Sequence, residues 1–304
     1  MSDTLRFDNR VAVITGAGNG LGRAYALEFG KRGAKVVVND LGGSVKGEGK
    51  SSKAADIVVE EIKKAGGQAV ANYDSVENGH SIIKTAIDAF GQVDILVNNA
   101  GILRDVSILK MTEKEWDSVM NVHLKGSFNL VNAAWKHMRA KGYGRIINTS
   151  SGSGAYGNFG QANYGAAKLG VHGFTNVISK EGEKYNIRTN SIIPVAASRM
   201  TEDIFTPELL KLFVPEKIVP LVVYLCHESC QNNGHLFEVA GGWFTRLRWQ
   251  RAEGTFLTGN ITAEDIKKNW DNINSFDRNN DYPSLPQDTM AKIIQHAEKA
   301  TPKI

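Results

Sequence analysis

Short apolar runs recur along the first four fifths of the chain, at Val11–Thr15, Val36–Asn39, Ala69–Asn72, Ile95–Asn98, Ile146–Thr149, Arg188–Ile193 and Leu236–Val239. They are continuous rather than alternating, the pattern of strands covered on both faces. Helical periodicity fills the gaps at about 20–32, 52–65, 77–90, 112–140, 163–184 and 215–228. Strand and helix in strict alternation predict an α/β fold: a doubly wound, mostly parallel seven-stranded sheet with helices on both faces.

Two stretches break the rhythm. The Gly/Lys/Ser-rich segment 41–53 follows the second strand and reads as a mobile surface loop. After Gly242 the composition changes; Thr262-Ala-Glu-Asp265 opens one short helix and Leu285–Ala300 suggests another. The expected organisation is a nucleotide-binding domain over 1–242 and a short helical C-terminal extension over 243–304, packing on the same domain or on a dimer partner.

Composition narrows the function classes. With 304 residues, 42% of them hydrophobic, the chain can bury a large core, and its dispersed net charge of +4 marks neither a nucleic-acid tail nor a polybasic membrane anchor. No run approaches the ~20 apolar residues of a membrane span, and no peroxisomal Ser-Lys-Leu address ends the chain. The two cysteines, Cys226 and Cys230, share an apolar helical face and read as core, so no metal site is expected.

The first chemical motif joins the first strand to its helix. Thr15-Gly16-Ala-Gly18-Asn19-Gly20-Leu21-Gly22 is a glycine-rich turn opening a helix, where backbone N–H groups and the helix N-terminus can receive a pyrophosphate. Asp40 ends the next strand, placed to accept from adenosine ribose hydroxyls and to repel a 2′-phosphate, which favours NAD over NADP. Arg23 and the lysines of 41–53 are the cations that would offset that repulsion. Asp74 and Ser75 follow the third strand, where an adenine edge can be read, and Asn98-Asn99-Ala100-Gly101 closes the fourth at the ligand-binding edge of the sheet.

The second motif is Ser151, Tyr164 and Lys168. Spacing i, i+4 sets Tyr164 and Lys168 on one helical face, so the ammonium is expected to depress a phenol pKa that is about 10 in water and make a general base of it. Ser151, at the end of a strand, can donate to a substrate oxygen beside the phenol. Tyr-x-x-x-Lys alone is more often a surface helix pair; its company in this chain changes that reading.

Taken in order, Gly16, Gly20, Gly22, Asn98-Asn99-Ala100-Gly101, Ser151, Tyr164-x-x-x-Lys168 and Pro194 resemble the short-chain dehydrogenase/reductase family over about residues 7–242. The resemblance implies a Rossmann fold, NAD as cofactor, Tyr164 as acid/base, Lys168 on the nicotinamide ribose, Ser151 on the substrate oxygen and Asn99 near that ribose. It adds Asn19, Leu21, Ala100, Gly101, Pro194 and Ser198 to the cofactor wall. Two positions depart from the family pattern. His123 stands where an asparagine commonly supports a proton-relay water, and Val195 follows Pro194 where glycine is usual, which alters the loop holding Ser198 and Met200.

Phe7-Asp8, the 41–53 insertion, Tyr156-Gly-Asn-Phe-Gly-Gln-Ala-Asn163 and Leu247-Arg248-Trp249-Gln-Arg251 are similar to the dehydrogenase units of peroxisomal type 2 multifunctional enzymes. That implies oxidation of (3R)-3-hydroxyacyl-CoA in fatty-acid β-oxidation, a peroxisomal location, an acyl-CoA substrate, a homodimer, and a fused or separate hydratase or sterol-carrier-like domain. Arg199, Arg246, Arg248 and Arg251 are candidates for CoA phosphates. The residues by themselves leave open a steroid alcohol, NADPH-dependent ketoacyl reduction, or a dinucleotide-binding module without catalysis.

Overall fold

The computed structural model describes residues 4–49, 51–197, 206–276 and 281–300. The strands are β1 (Val11–Thr15), β2 (Lys35–Asn39), β3 (Gln68–Asn72), β4 (Ile95–Asn98), β5 (Gly144–Thr149), β6 (Ile187–Val195), β7 (Leu236–Ala240) and β8 (Trp243–Leu247). They form one sheet in the order β3-β2-β1-β4-β5-β6-β7-β8, with β1 to β7 parallel. The helices are α1 (Gly20–Lys31), α2 (Lys53–Lys64), α3 (Gly79–Phe90), α4 (Glu113–Met120), α5 (Gly126–Lys141), α6 (Gly152–Ala155), α7 (Ala162–Gly182), α8 (Pro207–Leu212), α9 (Val219–Cys226), α10 (Ala263–Lys268), α11 (Trp270–Asn274) and α12 (Gln287–Ala300).

Alternation along buried strands builds the two layers. Ala12, Ile14, Val36 and Val38 pack with α1, α2 and α9, whereas Val11, Val13 and Val37 face α3 and α5. Each fully buried valine or isoleucine contributes about 1.5–3 kcal/mol. Pairing in register, with Val13 opposite Val37 on one side and Leu96 on the other, sets the strand ends level, so the residues following β1, β2 and β4 meet at one edge.

The structure departs from the sequence reading in three places. An eighth strand follows β7, because Gly241 and Gly242 both take positive φ, 56° and 100°, and supply the two-residue turn that a hairpin requires. The helix expected over 112–140 is divided by a π-helical turn, Asn121–Lys125, which carries His123 inward; from the start of α5, Ser127 Oγ donates to the His123 carbonyl at 2.7 Å. The segment 41–53, expected to be a loose loop, is tied down: Leu103 N donates to Val45 O at 3.1 Å, and Arg104 pairs with Glu48 at 3.4 Å.

The chain divides into two compact units, Met1–Arg246 and Leu247–Ile304. Within the second, Thr262 caps α10, accepting from Asp265 N at 3.2 Å. Arg251 holds Asp281 through two bonds of 2.9 Å, and Arg248 lies 3.5 Å above the Tyr282 ring. These two guanidinium groups, expected to meet CoA phosphates, are thus engaged inside their own unit. Ser198, Arg199 and Met200 lie outside the described residues.

Candidate active site

Going outward from β1, the chain order runs one way through β2 and β3 and the other way through β4 and β5. Such a switch point opens a crevice at the carboxyl ends of the strands. A cavity of ≈ 520 Å³ lies there. Its wall includes Gly16, Asn19, Gly20 and Leu21 from the first turn; Asp40, Asp74 and Ser75 after β2 and β3; Asn99, Ala100 and Gly101 after β4; and His123, Ser151, Tyr164, Lys168 and Pro194. Gly22 stands behind that wall, where a Cβ would lie 2.2 Å from the Gly16 carbonyl oxygen. Of the cofactor-wall residues singled out from sequence, Ser198 lies outside the described region.

The half of the cavity around β1 and β2 is built from mutually satisfied groups. Asp40 accepts from Gly18 N at 2.8 Å and from Gly42 N at 2.7 Å, so its carboxylate closes the glycine turn and still has lone pairs to offer. Asn99, expected near a ribose, lines the cavity and donates through Nδ2 to the carbonyls of Thr15 and Gly16 at 2.9 and 3.3 Å, buttressing the turn. Asp74 accepts from Asn72 Nδ2 at 3.0 Å and from Ser81 Oγ at 2.5 Å. At the head of α1, Asn19 makes no side-chain cap bond, so the first-turn N–H groups face the cavity uncapped. Arg23, the cation expected to admit a 2′-phosphate, is paired with Glu61 at 2.5 Å.

The other half is built from desolvated groups. The Tyr164 hydroxyl lies beside Ser151, whose Oγ accepts from Ser153 N at 3.2 Å. Lys168 is 4% exposed, donates to Thr149 O at 2.7 Å, and holds its Nζ 5.5 Å from the Tyr164 ring centroid. Burial pushes Tyr164 up to about 12, against a lowering by Ser151, and burial pulls Lys168 down to about 7. The expected depression of the phenol pKa by Lys168 is therefore not found. Helical spacing gives the charge–charge attraction but not the cost of taking both charges out of water.

His123 is 3% exposed and wedged against Tyr164, ring centroids 5.1 Å apart at 87°. Nε2 lies 2.9 Å from Ile102 O and 3.1 Å from Ile102 N, while the buried Nδ1 has no partner among the described residues. Burial first, then the neighbouring Lys168, holds this imidazole well below its ordinary pKa. The close fit depends on Gly101, where a Cβ would come 2.4 Å from His123 Cε1.

The sequence reading missed several contributors. Thr15 Oγ1 accepts from the N–H groups of Asn99 and Ala100 at 3.0 and 3.1 Å. Asn163 donates to Arg104 O and Glu115 O at 3.1 Å each, pinning the start of α7. Gln161 and Asp105 meet on the reaction wall at 2.7 Å. Gln161 and Asn163 lie inside Tyr156–Asn163, and Asp105 ends the segment Gly101-Ile-Leu-Arg104-Asp105, which carries the same family resemblance.

The wall fits a dinucleotide: an uncapped helix N-terminus, a glycine turn too tight for a Cβ at Gly22, and an acid beyond the second strand with no lysine or arginine beside it among the described residues of the wall. The comparisons agree. The family model described as short chain dehydrogenase matches residues 10–208. The peroxisomal hydratase-dehydrogenase-epimerase of Saccharomyces cerevisiae is 58% identical over 280 residues, 91% of this chain and 31% of that protein. The structure of full-length peroxisomal multifunctional enzyme type 2 from Drosophila melanogaster superposes with a TM-score of 0.83 and 43% identity, over 97% of this chain and 50% of that one. A 7α-hydroxysteroid dehydrogenase solved with NADH and a 7-oxo bile acid gives a TM-score of 0.71 and 28% identity, over 80% of this chain and 97% of that one. This chain spans half the length or less of the yeast and fly proteins that it matches. With the glycine turn, the Ser151–Tyr164–Lys168 set and the sheet order in hand, the chain belongs to the short chain dehydrogenase family.

Proposed function

We propose that this chain is an NAD-dependent (3R)-3-hydroxyacyl-CoA dehydrogenase of peroxisomal fatty-acid β-oxidation, producing 3-ketoacyl-CoA. One observation carries the reading: the neighbouring side chains of Tyr164 and Ser151 share a single cavity with the glycine turn and Asp40. Support for the substrate comes from the yeast relative, whose name joins a hydratase to a dehydrogenase, since hydration of an enoyl thioester yields the alcohol that a dehydrogenase oxidises. The peroxisomal setting rests on the yeast and fly names, and NAD on Asp40, the engaged Arg23 and the NADH-bound neighbour.

NAD, when bound, supplies the acceptor for the hydride leaving the substrate C3. The chain supplies the rest. Tyr164 Oη, in its phenolate form, takes the hydroxyl proton, and Ser151 Oγ donates to the substrate oxygen as it becomes a carbonyl. Lys168, anchored on Thr149 O at 2.7 Å, positions the nicotinamide side of the cofactor. His123 fixes the turn after β4 through Ile102 and braces the Tyr164 ring, with Nδ1 left as an acceptor for a proton-relay water. The uncapped start of α1 takes the pyrophosphate, and Asp40 the adenosine ribose.

The active unit lies in residues 1–242, and the protein works as a homodimer beside a hydratase or sterol-carrier-like domain, fused or separate. The apolar α5–α7 face, with Phe128 and Val177 about half exposed, supports a second copy. The test is a screen of NADH formation from both 3-hydroxyacyl-CoA stereoisomers at several chain lengths, with NAD and with NADP. The reading expects (3R)-thioesters and NAD. A sterol oxidised faster than every thioester contradicts it.

A further inference from the structure

On the reaction wall a group of side chains takes no part in moving the proton or the hydride. Gln161, 9% exposed, donates through Nε2 to Asp105 Oδ2 at 2.7 Å and accepts at Oε1 from Ser153 Oγ at 2.6 Å and Asn158 Nδ2 at 3.0 Å. The Ser153 N–H in turn donates to Ser151 Oγ at 3.2 Å, which couples the group to the reacting hydroxyls. All four side chains line the cavity that holds Tyr164.

The orientation of the Gln161 amide is fixed by chemistry. An ionised carboxylate only accepts, so turning the amide over would set Oε1 against Asp105. A primary amide nitrogen has two N–H bonds. Among the described residues, Nε2 donates to Asp105 alone, which leaves the second N–H for a ligand. Gln161 stands one helical turn before Tyr164, with Gly165 N bonded to its carbonyl at 2.7 Å, so the amide and the phenol are neighbours on one cavity wall.

We propose that Gln161 is a specificity-determining residue whose free N–H donates to the thioester carbonyl of a 3-hydroxyacyl substrate, with Asp105 holding the amide and opposing a free carboxylate. The inference rests on the function proposed above and deepens it. A substrate with one oxygen at C3 and another at C1 satisfies both Ser151 and Gln161. A plain secondary alcohol or ketone satisfies Ser151 only, and a free 3-hydroxy acid brings a negative charge towards Asp105.

The test compares wild type, Gln161→Leu and Asp105→Asn in NADH-dependent reduction of acetoacetyl-CoA and of 2,2,2-trifluoroacetophenone, which has no second carbonyl. Gln161→Leu should lower kcat/KM for acetoacetyl-CoA by about 10- to 100-fold, mainly through KM, and change trifluoroacetophenone by less than about twofold. Asp105→Asn should lower the preference for 3-hydroxybutyryl-CoA over free 3-hydroxybutyrate by about tenfold in NAD reduction. NADH affinity, read by fluorescence, should hold in both variants. Equal losses on both ketones with normal NADH affinity would show that the network only props Ser151, and no loss would show that Gln161 makes no contact; either overturns the inference and leaves the activity standing. A wild-type chain inert towards acetoacetyl-CoA overturns the function itself.

Discussion

The two halves of the cavity are built on opposite principles. Around β1 and β2 the conspicuous polar side chains bond one another: Asp40 to two backbone N–H groups, Asn99 to Thr15 and Gly16, Asn39 to Asn72 and to the carbonyl of Asp74 at 2.8 and 2.9 Å. What they leave for a ligand is backbone, a helix N-terminus and spare lone pairs. Across the cavity, Lys168 and His123 are buried and Tyr164 half-buried, all with their ionisation opposed, and His123 Nδ1 has no partner among the described residues. A half that binds is stabilised by satisfying its groups; a half that reacts keeps groups whose protonation a ligand can change.

The largest effect expected in the binding half comes from Gly22→Ala. The added methyl would lie 2.2 Å from Gly16 O and 2.7 Å from Asn99 Nδ2, neither of which can give way without opening the turn. Overpacking of this kind costs about 1–3 kcal/mol, and NAD affinity measured by calorimetry should fall about 100-fold, an equivalent of ~2.8 kcal/mol. Affinity within threefold of wild type would show that the turn yields, and would remove the contrast between the halves.

How much of this was legible in the chain follows from the same contrast. The strand runs and the glycine turn could be read because burial on both faces and backbone approach each demand particular residue types. Asp40, Tyr164 and Lys168 were found for a similar reason, lying at fixed offsets from those elements. Their environment was not readable. The i, i+4 spacing of Tyr164 and Lys168 does not disclose that Lys168 donates to Thr149 or that both side chains are desolvated. Nor does His123 announce itself as a wedge, because the π-helical turn that carries it inward arises from tertiary packing. The hairpin to β8 has a signal in Gly241-Gly242, but a glycine pair marks a turn of many kinds and does not by itself announce a following strand.

A smaller effect would sharpen the account of the reacting half. The buried imidazole of His123 resists protonation, so below about pH 6.5 the unfolded chain binds a proton that the folded chain does not, and stability falls as pH falls. His123→Asn removes this proton uptake. Between pH 7 and 5 the variant should lose less thermal stability than wild type, by several degrees in Tm, although it starts from a lower Tm at pH 7 through loss of the ring's packing. Parallel curves for the two proteins would mean that His123 is solvated enough to ionise in the fold.

The central claim is that the reacting half owes its chemistry to Tyr164, while the binding half works without it. Tyr164→Phe keeps the ring against His123 and removes only the hydroxyl. With NAD and a (3R)-3-hydroxyacyl-CoA, kcat should fall by about 10²–10⁴-fold, while NADH affinity measured by fluorescence titration stays within about twofold. A variant that retains normal turnover contradicts the account.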